Sequence, residues 1–596
     1  MKRARQTRKG STRGRKGRAP VHVSTIRREY KGKVYECHLL RRTVREGKKV
    51  RNETVANLSD LSAPIIDMIR RALAGQVMVP AGEALVTEGS LPTGQVRAVL
   101  GTMKHLGLED LLSTRRCRER DLVLGMVAER LLHPCSKLGT VRLWKMSTLA
   151  ADLEVLDASE DELYAALDWL LARQDRIEKK LAKRHLSEGG LVLYDMSNSH
   201  YEGRTCPLAQ LGHDKDGRHG VQVIGYGVLT DAEGRPVAIT VYGGKVGDPK
   251  TVPDQVEKLR GRFELKRVIL VGDRGMLTKT QLENLKKYPG LGWISALRSP
   301  SIQKLVHGDG VNGGALQLSI FDKQNLAEIT SPDFPGERLV ACHNPLLAQE
   351  RARTREDLLE CTEKLLSKLA AGFARRKKPV EDAKVGAKVG QQINRYKVAK
   401  HFEWSVSEGV LTWHRREDSI RREAELDGLY VIRTNEPVER LSADDAVRGY
   451  KGLSQVERAF RCMKGIDLRA RPVFLRTEDH VRAHFLLCML AYYVEWHMRR
   501  ALAPILFEDV DVVSARRTRD PVAPAAPSES VKAKKRTRVT ADEEHLAVHS
   551  FETLLADLAT QARVTYRVAG GPPEAVFDQL CPPTPLQARA FRLLDV

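Results

Sequence analysis

"GGLVLYDMS", Gly189 to Ser197, and "KRVILVGDRGM", Lys266 to Met276, are the stretches on which the fold turns. Each is a short apolar run ending in an aspartate, Asp195 or Asp273, followed by turn-forming residues. A run apolar at every position predicts a strand buried on both faces. Between them, "GVQVIGYGVLTD" and "RPVAITVYGG" predict two more strands joined at "AEG", and "DPKTVPDQVEKLRGRF" predicts a helix. A helix, "TKTQLENLKKY", and a strand, "LGWISALR", follow the second aspartate. The order of three strands, helix, strand, helix, strand predicts an α/β core: a mixed sheet flanked by helices.

Upstream, "HVSTIRREY", "VYECHLLRRTV" and "KVRNETVANL" read as a small basic β-sheet with Gly-containing turns. Helical periodicity follows from about residue 60 to 187, as in "RDLVLGMVAERLL". Downstream of residue 300 the rhythm breaks. Strand candidates "ERLVACHN", "EGVLTWH" and "LDGLYVIRTN" surround a charged helix near "REDLLECTEKLLSKLAAGF", and "RRKKPVEDAKVGAKVGQQ" reads as an exposed connector. This block is expected to be a mainly β insertion. Helices return at 452–466 and 478–502, then a basic Pro/Ala-rich linker, then a final helical piece.

The 596 residues leave room for several domains. No run of about 18 apolar residues predicts a membrane span. Nine cysteines without a C-x-x-C pair fit neither a disulfide scaffold nor a zinc finger. The net charge of +23 is uneven: residues 1–52 hold 19 Lys and Arg against three Glu, so +16 sits there and +7 in the remaining 544. A segment this basic, without an amphipathic apolar face, is suited to phosphate backbones; a solubilising tail is the bland alternative.

Two carboxylates at strand ends repel each other unless a cation lies between them, and strand ends of α/β sheets gather ligands. A turn former or helix cap is the competing reading for each aspartate. A third acid is sought on "YKGLSQVERAFRCMK", where a helix places Tyr450, Glu457 and Lys464 on one face with Arg461 a turn from Glu457. Here "SQVE" also matches a capping box, in which Glu457 would turn back to the amide of Ser454. His480 and His484 have i, i+4 spacing but lack the neighbouring Glu of a zinc helix, and "GGKVGDPKT" fails the phosphate-loop spacing.

These passages, with "WISALR", "DGLYVIRTN" and "RTEDHVRAHFLLCMLAYYV", resemble DDE transposases of bacterial insertion sequences, in the broad insertion-sequence-four group and a branch with a long insertion before its Glu. The resemblance spans about residues 21–500. It implies a ribonuclease-H-like fold and an acidic triad on Asp195, Asp273 and Glu457, binding two Mg²⁺ ions for which Mn²⁺ can substitute. The family's signature of Tyr, Arg, Glu and Lys falls on Tyr450, Leu453, Glu457 and Lys464, so a leucine stands where an arginine grips phosphate. Trp404 and Trp413 are candidates for stacking a flipped base, with packing as the alternative.

The domains expected are a disordered basic tail (1–20), a small basic β DNA-binding domain (21–58), a helical DNA-binding region (59–187), the ribonuclease-H-like core (188–300 and 441–505), an insertion (301–440), a linker (506–545) and a C-terminal helical segment (546–596). The expected function is cleavage at insertion-sequence ends and strand transfer into target DNA. Alternatives are a catalytically inactive DNA-binding relative and a metal-dependent nuclease. Expected DNA contacts are Tyr450, Arg461, Lys464, Arg41, Arg42, Lys48 and Lys49. The expected partners are double-stranded DNA, as terminal inverted repeats and target, and a second copy in a synaptic homodimer. The expected location is the bacterial cytoplasm at the nucleoid, with no membrane partner.

Overall fold

The computed structural model describes residues 21–47, 49–76, 84–308, 316, 321–322, 324–376, 380–465, 467–512, 514–515 and 519–596. The expected tail, 1–20, lies outside them. The chain forms two compact units: residues 1–89 with 564–579, and 90–563 with 580–596.

In the first unit, β1 (Val21–Tyr30), β2 (Lys33–Glu46) and β3 (Lys49–Asn57) form an antiparallel meander. The helix Ala63–Leu73 packs on β1 and buries Ile66. The strand β4 (Leu85–Pro92) belongs to a second three-stranded sheet, with Ala562–Val568 and Val576–Leu580. This corrects the all-helical readings of 59–187 and 546–596. Strands paired over such a sequence distance leave no local signal of their partner, although "ARVTYRV" does alternate.

The second unit holds the main core. Its central sheet contains β5 (Leu191–His200), β6 (Gln210–Leu211), β7 (Gln222–Asp231), β8 (Pro236–Gly243), β9 (Val268–Val271) and β10 (Leu291–Ala296). β8, β7 and β5 are antiparallel neighbours, and β9 and β10 continue parallel to β5. Order and direction are those of a ribonuclease-H-like core. β5 and β7 are buried almost throughout because helices cover both faces. The helix Leu453–Lys464 lies on β5 and β7, and the long helix Glu478–Leu502 lies on β8 and on the helices Arg118–Leu132 and Glu160–Leu171. No helix among the described residues is long and apolar enough to cross a membrane.

The insertion is stitched into this sheet. β11 (Leu326–Ile329), β12 (Arg338–His343) and, after β13 (Phe402–Ser407) and β14 (Val410–Arg415), β15 (Leu429–Thr434) extend it antiparallel from β10, satisfying an edge that would otherwise be bare. It is also more helical than expected. The helix Pro345–Ala374 packs against Asp382–Ile393 around a separate core with Leu366, Val385 and Val389. The expected connector is therefore partly helix. Val385, Val389 and Ile393 form its apolar stripe. Trp404 faces Trp413 across the β13–β14 ladder; Trp413 packs on this core, whereas Trp404 is exposed.

The linker reading of 506–545 is also corrected. Val522 is buried in the main core, and the helix Glu529–Thr537 carries Lys534, whose buried Nζ donates to the carbonyls of Ala503, Leu506 and Glu508.

Candidate active site

The parallel register of β5 and β9 pairs Leu191 with Ile269, Val192 with Leu270 and Leu193 with Val271. Two residues further along each strand stand Asp195 and Asp273, on adjacent strands and one face. Asp273 follows the end of β9, as expected. Asp195 does not end its strand: β5 runs on to His200 against β7, and Asp195 marks where it leaves β9.

Asp273 is aimed by its turn, with Oδ1 accepting the amides of Gly275 (2.9 Å) and Met276 (2.7 Å). Asp195 Oδ1 accepts the Met196 amide at 2.7 Å. Burial pushes the Asp195 carboxyl up to about 7; Lys215 opposes this, while the charges of Asp273 and Asp248 add to it. Lys215 donates to the Met196 carbonyl (2.6 Å) and to Asp248 (2.9 Å). Its neighbour Asp216 pairs with Arg471 and lies 3.7 Å from Lys464. One loop thus ties the Asp195 strand to the helix of Glu457. Sequence reasoning missed Lys215, Asp216 and Asp248; the "DKD" run in a glycine-flanked loop was the available signal.

Tyr450 lies beside both aspartates. Burial raises its phenol, the charges of Asp273 and Asp195 raise it further, and Arg274 opposes them. The helix of Glu457 starts directly after the helix Ala443–Lys451, with Gly452 at the corner. A side chain at Gly452 would come within 2.8 Å of the Gly449 carbonyl and 3.4 Å of Leu193, so the glycine lets the helix sit close on β5. Glu457 is exposed on this helix. The capping box does not form: Gly452 is the N-cap, and Ser454 Oγ donates to the Lys451 carbonyl at 2.8 Å. Leu453 is 8 % exposed and packs in the main core, so it occupies no phosphate-facing position.

The ligand atoms of Asp195, Asp273 and Glu457 do not all lie within 4.8 Å of one another; among the described residues Cys462, Asp467 and Glu495 do. That cluster is an ion-pair network filled by Arg499, which bonds Glu495 at 2.6 Å and Asp467 at 3.4 Å, while the Cys462 thiol donates to Glu495. Burial lowers the Lys464 ammonium from its ordinary value. Arg461 is exposed and borders a cavity of about 340 Å³ behind the helix, which Arg458 and Arg499 line while both paired to Glu508. The structure therefore brings Tyr450 to the aspartates and ties Lys464 to their loop, while Arg461, one turn from Glu457, borders this cavity.

On the basic sheet, Arg41 and Arg42 project to opposite faces, because successive residues alternate. Arg42 shares its face with Lys49 and Arg51, and Arg41 is half-buried; Lys48 lies outside the described residues. The zinc-spaced histidines are structural. His480 pairs with Asp168 at 3.2 Å, and buried His484 contacts the Ala470 carbonyl.

The family model "Transposase DDE domain" matches residues 199–494, which include Asp273, Tyr450, Glu457 and Lys464 and begin four residues after Asp195. The model "IS1634 family transposase, N-terminal domain" matches residues 23–79. No curated protein is similar enough in sequence to match. The cryo-EM structure of a piggyBac transposase synaptic complex with hairpin DNA aligns over 77% of this chain and 93% of that chain, at 11% identity. Its TM-score is 0.25, a likeness too slight to carry an argument.

Proposed function

The chain belongs to the DDE transposases, in the IS1634 family rather than the broader group its motifs suggested, and from that premise we propose that Asp195, Asp273 and Glu457 are the acids with which it cuts and joins DNA. The observation that carries this reading is the register of β5 and β9, which sets Asp195 beside Asp273 on a sheet face covered by the helix of Glu457.

Members of this family use a divalent metal. The donor set fits one: two adjacent carboxylates supply hard oxygens, and Asp195 is held among the charges of Asp273 and Asp248. Asp195 and Asp273 would hold Mg²⁺ or Mn²⁺, with Glu457 completing a second ion's ligands. Bound there, the metal supplies charge stabilisation at the phosphoryl oxygens and a more acidic water.

The remaining roles fall to side chains. Tyr450 donates its hydroxyl proton to a phosphate oxygen beside the scissile bond. Lys464 exchanges Asp216 for a phosphate and acts as a point charge. Arg42, Lys49 and Arg51 place one face of the N-terminal sheet on duplex DNA at the element's inverted repeats, and two copies hold the paired ends.

The test uses labelled duplexes carrying the element's ends, target DNA and Mg²⁺. Joined products from the wild type, lost in Asp195→Ala, Asp273→Ala and Glu457→Ala while end binding persists, support the assignment. Cleavage without joining favours a nuclease. Joining that survives all three substitutions sinks the triad. Calorimetric titration with Mn²⁺ gives a readout independent of activity: weakened binding is expected in Asp195→Asn and Asp273→Asn.

A further inference from the structure

The carboxyl ends of β9 and β10 open into a cavity of about 460 Å³, whose wall includes Arg274, the residue that follows Asp273. Arg274, Lys279 and Arg298 line it, all three exposed. Arg298 Nε donates to the Arg274 carbonyl at 3.3 Å, which ties the two arginines together. Among the described residues none of the three forms an ion pair.

Their neighbours are otherwise engaged. Arg433, also on the wall, is held in a two-pronged pair with Glu337 at 2.7 Å, and Asp333 is taken by Lys304. Glu283 is the remaining acid on the wall. Three unpaired cations against one carboxylate leave the cavity in surplus positive charge. Cations stripped of counter-charges and grouped beside a metal-binding aspartate suit an extended anion with several charges rather than a single small one.

We propose that this cavity is a subsite for the phosphodiester backbone of one DNA strand, gripped by Arg274, Lys279 and Arg298 as it leaves Asp273. The assignment rests on the transposase reading above. It adds arginines to the one that the Glu457 helix offers, exposed Arg461, which forms no ion pair among the described residues. Leu453 is buried, Lys451 donates to the Ala523 carbonyl, and Arg458 is paired with Glu508. Arg274 is nearest the chemistry, because it directly follows Asp273 and its charge acts on the Tyr450 phenol.

The test measures binding of a labelled duplex carrying the element's end across a potassium chloride series, with Ca²⁺ replacing Mg²⁺. Lys279→Ala and Arg298→Ala should each lower the slope of log affinity against log salt by about 0.9, and the double variant by about twice that. Arg298→Lys should restore the slope. A methylphosphonate, which removes one phosphate's charge, should weaken wild-type binding at particular positions and weaken the double variant no further there.

A wild-type slope in a double variant that melts normally overturns the subsite, as does an undiminished methylphosphonate effect. Displacement of DNA by inorganic phosphate at constant ionic strength, in the wild type alone, would assign the cavity to a free anion and also overturn it. Failure of the wild type to cleave in Mg²⁺ would instead fall on the proposed function, since the binding arms do not require chemistry.

Discussion

The two aspartates and the glutamate proposed as the site's acids are positioned by different physics. Asp195 and Asp273 each stand two residues past the last pair of one parallel ladder, Asp195 held by the β5–β7 ladder and Asp273 by its turn. Glu457 comes from an exposed position on a helix seated on β5 by side-chain packing and one glycine corner. Ladders set distances rigidly, whereas packed helices shift at lower cost. The pair is thus a fixed point, and the third acid is the part that can be moved by mutation.

The largest test deletes the fixed point. Asp273→Ala should reduce strand cleavage by about 10²- to 10³-fold, the range seen when central electrostatic groups are removed, with end binding changed less than about twofold. Gel-resolved cleavage and anisotropy measure the two. Moving the third acid should cost less. Gly452→Ala places a Cβ 2.8 Å from a backbone oxygen, so the helix must shift. It should destabilise by about 1–3 kcal/mol and slow cleavage while leaving Mn²⁺ binding at the aspartates intact. Equal losses of metal binding in both variants would erase the contrast.

A third test probes the support beneath the movable part. Lys137 is buried near Cys488 of the long helix Glu478–Leu502, on which the Glu457 helix packs, and burial pulls its ammonium from 10.5 to about 7. Between those values the unfolded chain binds more protons than the native one, so stability rises with pH from about 7 to 10.5 and falls as pH drops through that window. The slope is at most about 1.4 kcal/mol per pH unit. Lys137→Met should flatten it, as read by urea unfolding at pH 7 and 9.5. The smallest effect belongs to the DNA-facing sheet. Arg42→Ala should lower the salt slope of end binding by about 0.9, and Arg41→Ala, on the other face, should leave it unchanged.

What was legible follows the same division. The strands of Asp195 and Asp273 announced themselves, because burial on both faces demands unbroken apolar runs. Helical periodicity put Glu457 and Lys464 on one helix, but Tyr450 belongs to the preceding helix Ala443–Lys451, and Gly452 between the two, not Ser454, is the N-cap. Less was readable where partners are distant. The pairing of β4 with Ala562–Val568 left no local trace, and Val385, Val389 and Ile393 were masked by Gly386 and Gly390 among charged residues. Lys215 and Asp216 were hidden differently: a loop's charges gain meaning only once strands on both sides are placed.

The stitching of β15 onto β10 has a consequence for synthesis. The aspartate half of the site is complete in sequence by the end of β10, yet its sheet edge stays open until Leu429–Thr434 emerges from the ribosome. A nascent chain therefore holds two acids and an unpaired strand edge through the translation of the whole insertion. Arrest or truncation in that interval leaves a protein without its third acid and with an adhesive edge, more apt to be cleared by chaperones and proteases than to nick the genome.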